Sequence, residues 1–218
     1  MSETSGAGPD AIARVETRLC DLYALEPGVR VRDFVVDDAA RPRLLAALSV
    51  SVGAGREALL IHEDAEELNL ALLLEDRLSL ADPCDDADLD RHCALLEGVS
   101  HLLYVVVRAQ TQRPVSRLEL ELQAEVDKFL GTFLLRRLAK VPVCPNGLRR
   151  RLFRDFSVEA APEEQPRYRE ASRLAERYCA WLSDTFLARA RMDSLLPEVR
   201  RFWRMNQSDK IGHIESRS

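Results

Sequence analysis

The apolar positions of the chain are densest between Asp88 and Leu138, and their spacing predicts two long helices joined at Gln112-Arg113-Pro114-Val115. The first helix carries Leu95, Leu96, Val99, Leu102, Leu103, Val105, Val106 and Val107. A helix that is apolar almost all round belongs in an interior. Four polar residues interrupt it, Glu97, His101, Tyr104 and Arg108, and their spacing puts all four on one face. Ser116-Arg117-Leu118-Glu119 is a capping box that starts the second helix, with Pro114 just before it. That helix repeats the pattern with Glu121, Glu125, Lys128 and Thr132.

Folding the two helices antiparallel about Arg113 sets the files against each other. His101 is then expected opposite Glu125, and Glu97 near Lys128 or Phe129. Tyr104 is expected near Glu121 or Leu122, and Arg108 near Leu118 or Glu119. The files complement each other in charge and hydrogen-bonding type. Such a ladder fixes helix register and satisfies buried polar groups, which are costly when unpaired.

The flanking pattern is more varied. An amphipathic helix is expected from Pro9 to about Leu25, with Ile12, Val15, Leu19, Leu22 and Tyr23 on one side and Pro27-Gly28 as its stop. Alternation and β-branched content predict a strand over Val29 to Val36. A short helix follows near Arg41 to Leu48, then a loop or broken strand over Val50 to Gly55. Glu57 to Glu63 and Glu67 to Glu75 read as a β-hairpin turning at Asp64-Ala65-Glu66; for the leucine-rich second arm a helix is the alternative. After Leu138 come a loop over Val141 to Gly147, a short basic helix over Leu148 to Phe156 and a loop over Ala160 to Pro166. Helices over Arg167 to Ala190 and Met192 to Met205 complete the pattern.

These elements make an α+β fold: a small antiparallel sheet in the N-terminal part, a central long helical hairpin and a mainly α C-terminal part. The expected organisation is a disordered tail over 1–8 and one compact unit over 9–205. That unit divides into a sheet-containing part (9–84), the hairpin (85–140) and a basic helical part (147–205). A loose tail over 206–218 ends the chain.

Composition adds compartment and charge. Of 218 residues, 46% are hydrophobic and 31% charged, as in a globular chain able to bury a core. The first residues lack the basic and apolar segments of a secretory signal, and no run approaches the ~18 apolar residues of a membrane helix. Five scattered cysteines without a CxxC pair point to free thiols in a reducing cytoplasm. Residues 1–128 hold 13 basic and 25 acidic groups, residues 129–218 hold 18 and 11. This asymmetry marks either an acidic-partner or nucleic-acid face on the C-terminal part, or two parts that neutralise each other.

No motif fixes a reaction or a cofactor. The candidate site is on the hairpin: Glu97, His101, Glu121 and Glu125 offer one imidazole and three carboxylates, a donor set for a divalent metal. A two-metal carboxylate bundle would use Glu-x-x-His pairs, whereas here the spacing is Glu-x-x-x-His with one histidine. His101 oriented by Glu125 is also a candidate general base, although no nucleophile is marked. Asp82, Asp85, Asp86, Asp88 and Asp90 lack the glycine and distal glutamate of a calcium loop and read as a solvated cap. Arg149, Arg150, Arg151, Arg154, Arg169, Arg173 and Arg177, with Trp203 taken as exposed, are candidate contacts for a protein partner or for phosphate. The expected function is a cytoplasmic, non-enzymatic interaction or regulatory protein with a protein partner and no membrane association. The alternative is a metalloprotein or enzyme using the hairpin file, and a third reading is nucleic-acid binding through the basic part.

Overall fold

The computed structural model describes residues 8–37, 39–48, 57–63, 67–75, 85–154 and 164–217. The tail over 1–7, the Val50 to Gly55 loop, the turn at Asp64-Ala65-Glu66, Asp82 to Cys84 and most of the Ala160 to Pro166 loop lie outside them.

Helix α1 (Gly8–Tyr23) buries Ala11, Ile12, Val15, Leu19, Leu22 and Tyr23, the spacing that predicts it. Val29 to Val36 is not one strand. Val31–Phe34 is a 3-10 turn, closed by the Asp33 amide donating to the Arg30 carbonyl, and only Val35–Val36 forms strand β1. Mixed polarity on both faces of this segment leaves no side to bury against a sheet. The turn buries Val31 alone, whose amide donates to Glu16 Oε1 at 3.1 Å.

Helix α2 (Arg41–Leu48) precedes the hairpin of β2 (Glu57–Glu63) and β3 (Leu68–Leu74). β2 and β3 pair antiparallel from Glu57 opposite Leu74 to Glu63 opposite Leu68. β1 joins the other side of β3 in parallel, with Val35 opposite Leu72, so the small sheet is mixed rather than purely antiparallel. The fold is α+β.

The sheet packs on α3 (Leu89–Gln110), the first arm of the central hairpin; α4 (Arg117–Leu138) is the second. Gly98 permits the approach: a Cβ there would lie 2.9 Å from Leu74 Cδ2 and 3.2 Å from Leu72 Cδ1. α4 is covered in turn by α6 (Gln165–Leu182) and by α5 (Pro145–Phe153), which begins earlier than its pattern suggests because Pro145 occupies its first turn. α6 stops at Leu182 and passes into a π-turn over Ser183–Leu187, where Ser183 Oγ donates to the Cys179 carbonyl at 2.7 Å. α7 (Met192–Arg204) packs on α1 and the π-turn.

The residues from Asn206 onward are not a loose tail. Asn206 Oδ1 accepts the Asp209 amide at 2.9 Å and caps α8 (Gln207–Glu215), which buries Lys210, His213 and Ile214. No helix among the described residues is long and apolar enough to cross a membrane.

Candidate metal centre

The two helical arms meet through polar pairs at several levels. Ser116 Oγ accepts the Glu119 amide at 3.0 Å, so the cap forms as the sequence implies. The Glu119 side chain does not complete the box; it turns inward to accept from Arg108 at 2.9 Å and from Tyr104 Oη at 2.5 Å. Lower on the hairpin Lys128 Nζ donates to Glu97 Oε2 at 3.0 Å and to Glu125 Oε1 at 2.7 Å. The expected neighbours of Glu97 and Arg108 are therefore found. Two others shift by up to one turn: Tyr104 meets Glu119 rather than Glu121 or Leu122, and His101 faces Glu121 rather than Glu125, with Nε2 3.5 Å from Glu121 Oε2. Lys128 accounts for the second shift by drawing Glu125 along its own helix.

Strand β2 supplies a member that the hairpin pattern does not contain. Glu57 Oε2 lies 3.8 Å from His101 Nδ1. The imidazole is thus held between two carboxylates, one from the sheet and one from α4. Neither approach is a hydrogen bond, so His101 Nε2 and Glu57 Oε2 are buried with ion-pair contacts but no hydrogen bond. Buried polar atoms without a hydrogen bond are uncommon in a folded interior, and a bound water or ion is one way to satisfy them. Donor atoms of Glu97, His101 and Glu121 all lie within 4.8 Å of one another.

The electrostatics follow from crowding. Burial opposes a charge on His101, but Glu121 and Glu57 outweigh it and raise its pKa well above the usual imidazole range. Burial also opposes the Lys128 ammonium, and Glu125 and Glu97 overcome it, so the amine stays charged. Burial would raise Glu97, but Lys128 and His101 hold it below the usual carboxylate range. For Glu57 and Glu125 burial wins, and both are raised. Four carboxyl groups therefore face two enclosed cations, with Arg167 of α6 acting on Glu121 from the rim. Burial and then the charges of Glu121 and Glu97 push up the Tyr168 phenol on the same side. Cys93, one turn before Glu97, is a buried free thiol pushed up to about 12 by burial.

Glu125 connects this interior to the surface. It floors an open cleft of about 540 Å³ between α5 and α6, lined also by Leu152, Phe153, Arg169 and Arg173. The remaining basic candidates are mostly engaged. Arg149 and Arg154 both reach Glu176 Oε1, at 3.0 and 3.3 Å. Arg173 pairs with Glu170, Arg169 donates to Gln165, Arg177 donates to the Glu215 carbonyl and Arg151 approaches Asp90. Arg150 is exposed. Trp203 is not exposed: it is buried against Tyr23 and Tyr104. Of the acidic run, Asp85 accepts the Ala87 amide, Asp88 pairs with Arg91, and Asp86 and Asp90 meet Arg136 and Arg151.

Two further networks of enclosed polar groups went unread in the sequence. Asp127 accepts from Tyr23, from Ser100 Oγ at 2.5 Å and from Gln123 at 2.8 Å. His213 Nε2 lies 2.5 Å from Glu198 Oε1, which also accepts from Tyr178 Oη at 3.2 Å. Asp127 carried a usable signal, since it lies in the buried arm one turn beyond Gln123. His213 carried another, through Asn206 as a cap and Lys210, His213 and Ile214 at helical spacing. Glu57 carried none, because only the tertiary fold brings it to His101.

Compared with known proteins, the chain matches no family model, no curated protein and no solved structure.

Proposed function

We propose that the protein is a metalloprotein that holds one divalent cation between α3 and α4. Glu97, His101 through Nε2, and Glu121 are the ligands, and Glu57 orients the ring through Nδ1. The observation that carries this reading is the convergence of the three donor groups within 4.8 Å around an imidazole nitrogen that is buried without a hydrogen bond. One imidazole and two carboxylates suit zinc, manganese or ferrous iron. Donors bound tetrahedrally at ~2 Å lie ~3.3 Å apart, so binding needs the side chains to close by up to ~1.5 Å. A carboxylate behind a ligating histidine is the usual means of fixing its tautomer.

Charge supports the same reading. A divalent ion in place of the His101 proton offsets the surplus of carboxylate in the pocket. Lys128 bridges Glu97 and Glu125, so its ammonium fills the space a second ion would need and makes the site mononuclear. Three protein donors leave positions for water, as in catalytic rather than closed structural sites. Water bound there would be polarised for attack on a carbonyl or phosphoryl group.

The test is elemental analysis of the full chain purified without a metal-affinity tag. About one equivalent of a divalent ion is expected, and Glu121→Gln should lose it while remaining folded. Absence of metal, together with no uptake when zinc or manganese is added, contradicts the proposal.

A regulatory or interaction role is favoured by one observation, the cleft between α5 and α6. Its lining sets Arg169 and Arg173 beside Glu125 and Glu176, with an apolar wall of Leu152 and Phe153, which suits a partly apolar peptide of mixed charge. Loss of a captured peptide on Arg169→Glu, with metal content unchanged, would support that role; retention would count against it.

A further inference from the structure

Helix α8 carries a lysine in an apolar setting. Lys210 is fully buried between the rings of Tyr104 and Phe202, with Nζ 4.8 and 4.7 Å from their centroids. Its amine donates to Gln123 Oε1, and among the described residues no carboxylate lies within ion-pair distance. A buried ammonium normally has an anionic partner.

The charged groups around it are already engaged. From α4, Glu119 serves Arg108 and Tyr104, and Asp127 serves Tyr23, Ser100 and Gln123. From α3, Arg108 adds repulsion, while its guanidinium donates to the Trp203 and Met205 carbonyls at the junction of α7 and α8. α7 contributes the Phe202 ring, and its Glu198 is held by His213. α6 meets α8 further along, where Arg177 donates to the Glu215 carbonyl and the Tyr178 ring faces His213. One short helix thus places an amine against one amide acceptor and two rings.

We propose that α8 is a proton-controlled latch: uptake of a proton by Lys210 loosens its docking on the α3–α4 hairpin, and loss of that proton tightens it. Burial holds the docked amine down to about 7, with Arg108 adding to the effect and Glu119 and Asp127 opposing it. A lysine on the released helix keeps its proton to about 10.5. Between those values the released state binds more protons, so docking strengthens as pH rises, by about tenfold per unit. Below about 7 both states are protonated and docking no longer changes with pH. Release uncovers Gln123, Tyr104 and the carbonyls that Arg108 holds.

Hydrogen exchange of the full chain between pH 6 and 10, corrected for intrinsic rates, tests this. Protection of the Lys210 to Ile214 amides should be flat below about pH 7 and then rise about tenfold per unit. Core amides of α3 should lack that slope. Lys210→Met should abolish the slope and raise α8 protection at pH 7. Flat protection in the native chain, an unchanged slope in Lys210→Met, or one slope shared by α3 and α8 would each overturn the latch. Should Lys210→Met fail to fold, 13Cε NMR of the native chain, which has only three lysines, decides instead. A Lys210 resonance titrating near neutrality supports the latch, and one titrating in the ordinary lysine range overturns it.

Discussion

At the scale of single residues, burial decides which charges matter. Arg108 is enclosed with Glu119, and it also holds the Tyr104 hydroxyl and the carbonyls that end α7. Arg108→Ala strands a carboxylate and several acceptors together. It is expected to cost about 3–5 kcal/mol in urea unfolding, the range for breaking a buried pair from one side. Arg108→Met with Glu119→Leu should recover part of that loss, because no buried carboxylate is left alone, while the Trp203 and Met205 carbonyls still lack their donor. Arg173 bonds Glu170 with two nitrogens but lies in solvent. Arg173→Ala is expected to change stability by no more than about 0.5 kcal/mol in the same assay.

At the scale of elements, close approach and chain reversal set the architecture. The sheet touches α3 where Gly98 leaves room, and Glu57 Oε2 is 3.4 Å from where a Cβ would sit. Gly98→Ala is expected to cost about 1–3 kcal/mol by overpacking, and to displace Glu57 from His101. The turn between α3 and α4 passes through Gln112 at φ 50°, a conformation that suits glycine. Gln112→Gly should therefore raise stability by about 0.5–1 kcal/mol in thermal unfolding. The hairpin was legible because its signals are local: an apolar body, a capping box and polar files at helical spacing. Its level pairing was legible only to within a turn, because His101 can face either Glu121 or Glu125 until Lys128 claims one of them. β1 was misread because alternation in Val29 to Val36 mimics a strand while Arg30 and Asp33 close a turn. α8 was missed because a short polar segment after a predicted helix end reads as a tail, and its burial depends on partners elsewhere in the chain.

At the scale of the whole molecule, the uneven charge of the two parts is partly taken up inside. Arg200 donates to the carbonyls of Asp21 and Leu22, and Arg204 to those of Tyr23 and Ala24, which fastens α7 to the end of α1. Arg136 and Arg151 reach back to Asp86 and Asp90 before α3 and in its first turn. With these arginines engaged and a net charge of −5, salt-sensitive retention on heparin is expected to be weak. Strong retention at low salt, lost on reversing the charge of Arg150 and Arg151, would restore the nucleic-acid reading. Three elements, β2, α3 and α4, converge on His101 and bring more carboxyl groups than the enclosed cations balance. The proposed metal centre is the simplest way to meet both that charge and the imidazole nitrogen that lacks a hydrogen bond. Isothermal titration of zinc or manganese into chelator-treated full-length protein measures this directly. One site per chain is expected, lost in Glu121→Gln of unchanged fold; no binding, or binding unaffected by that substitution, would contradict a centre built on Glu97, His101 and Glu121.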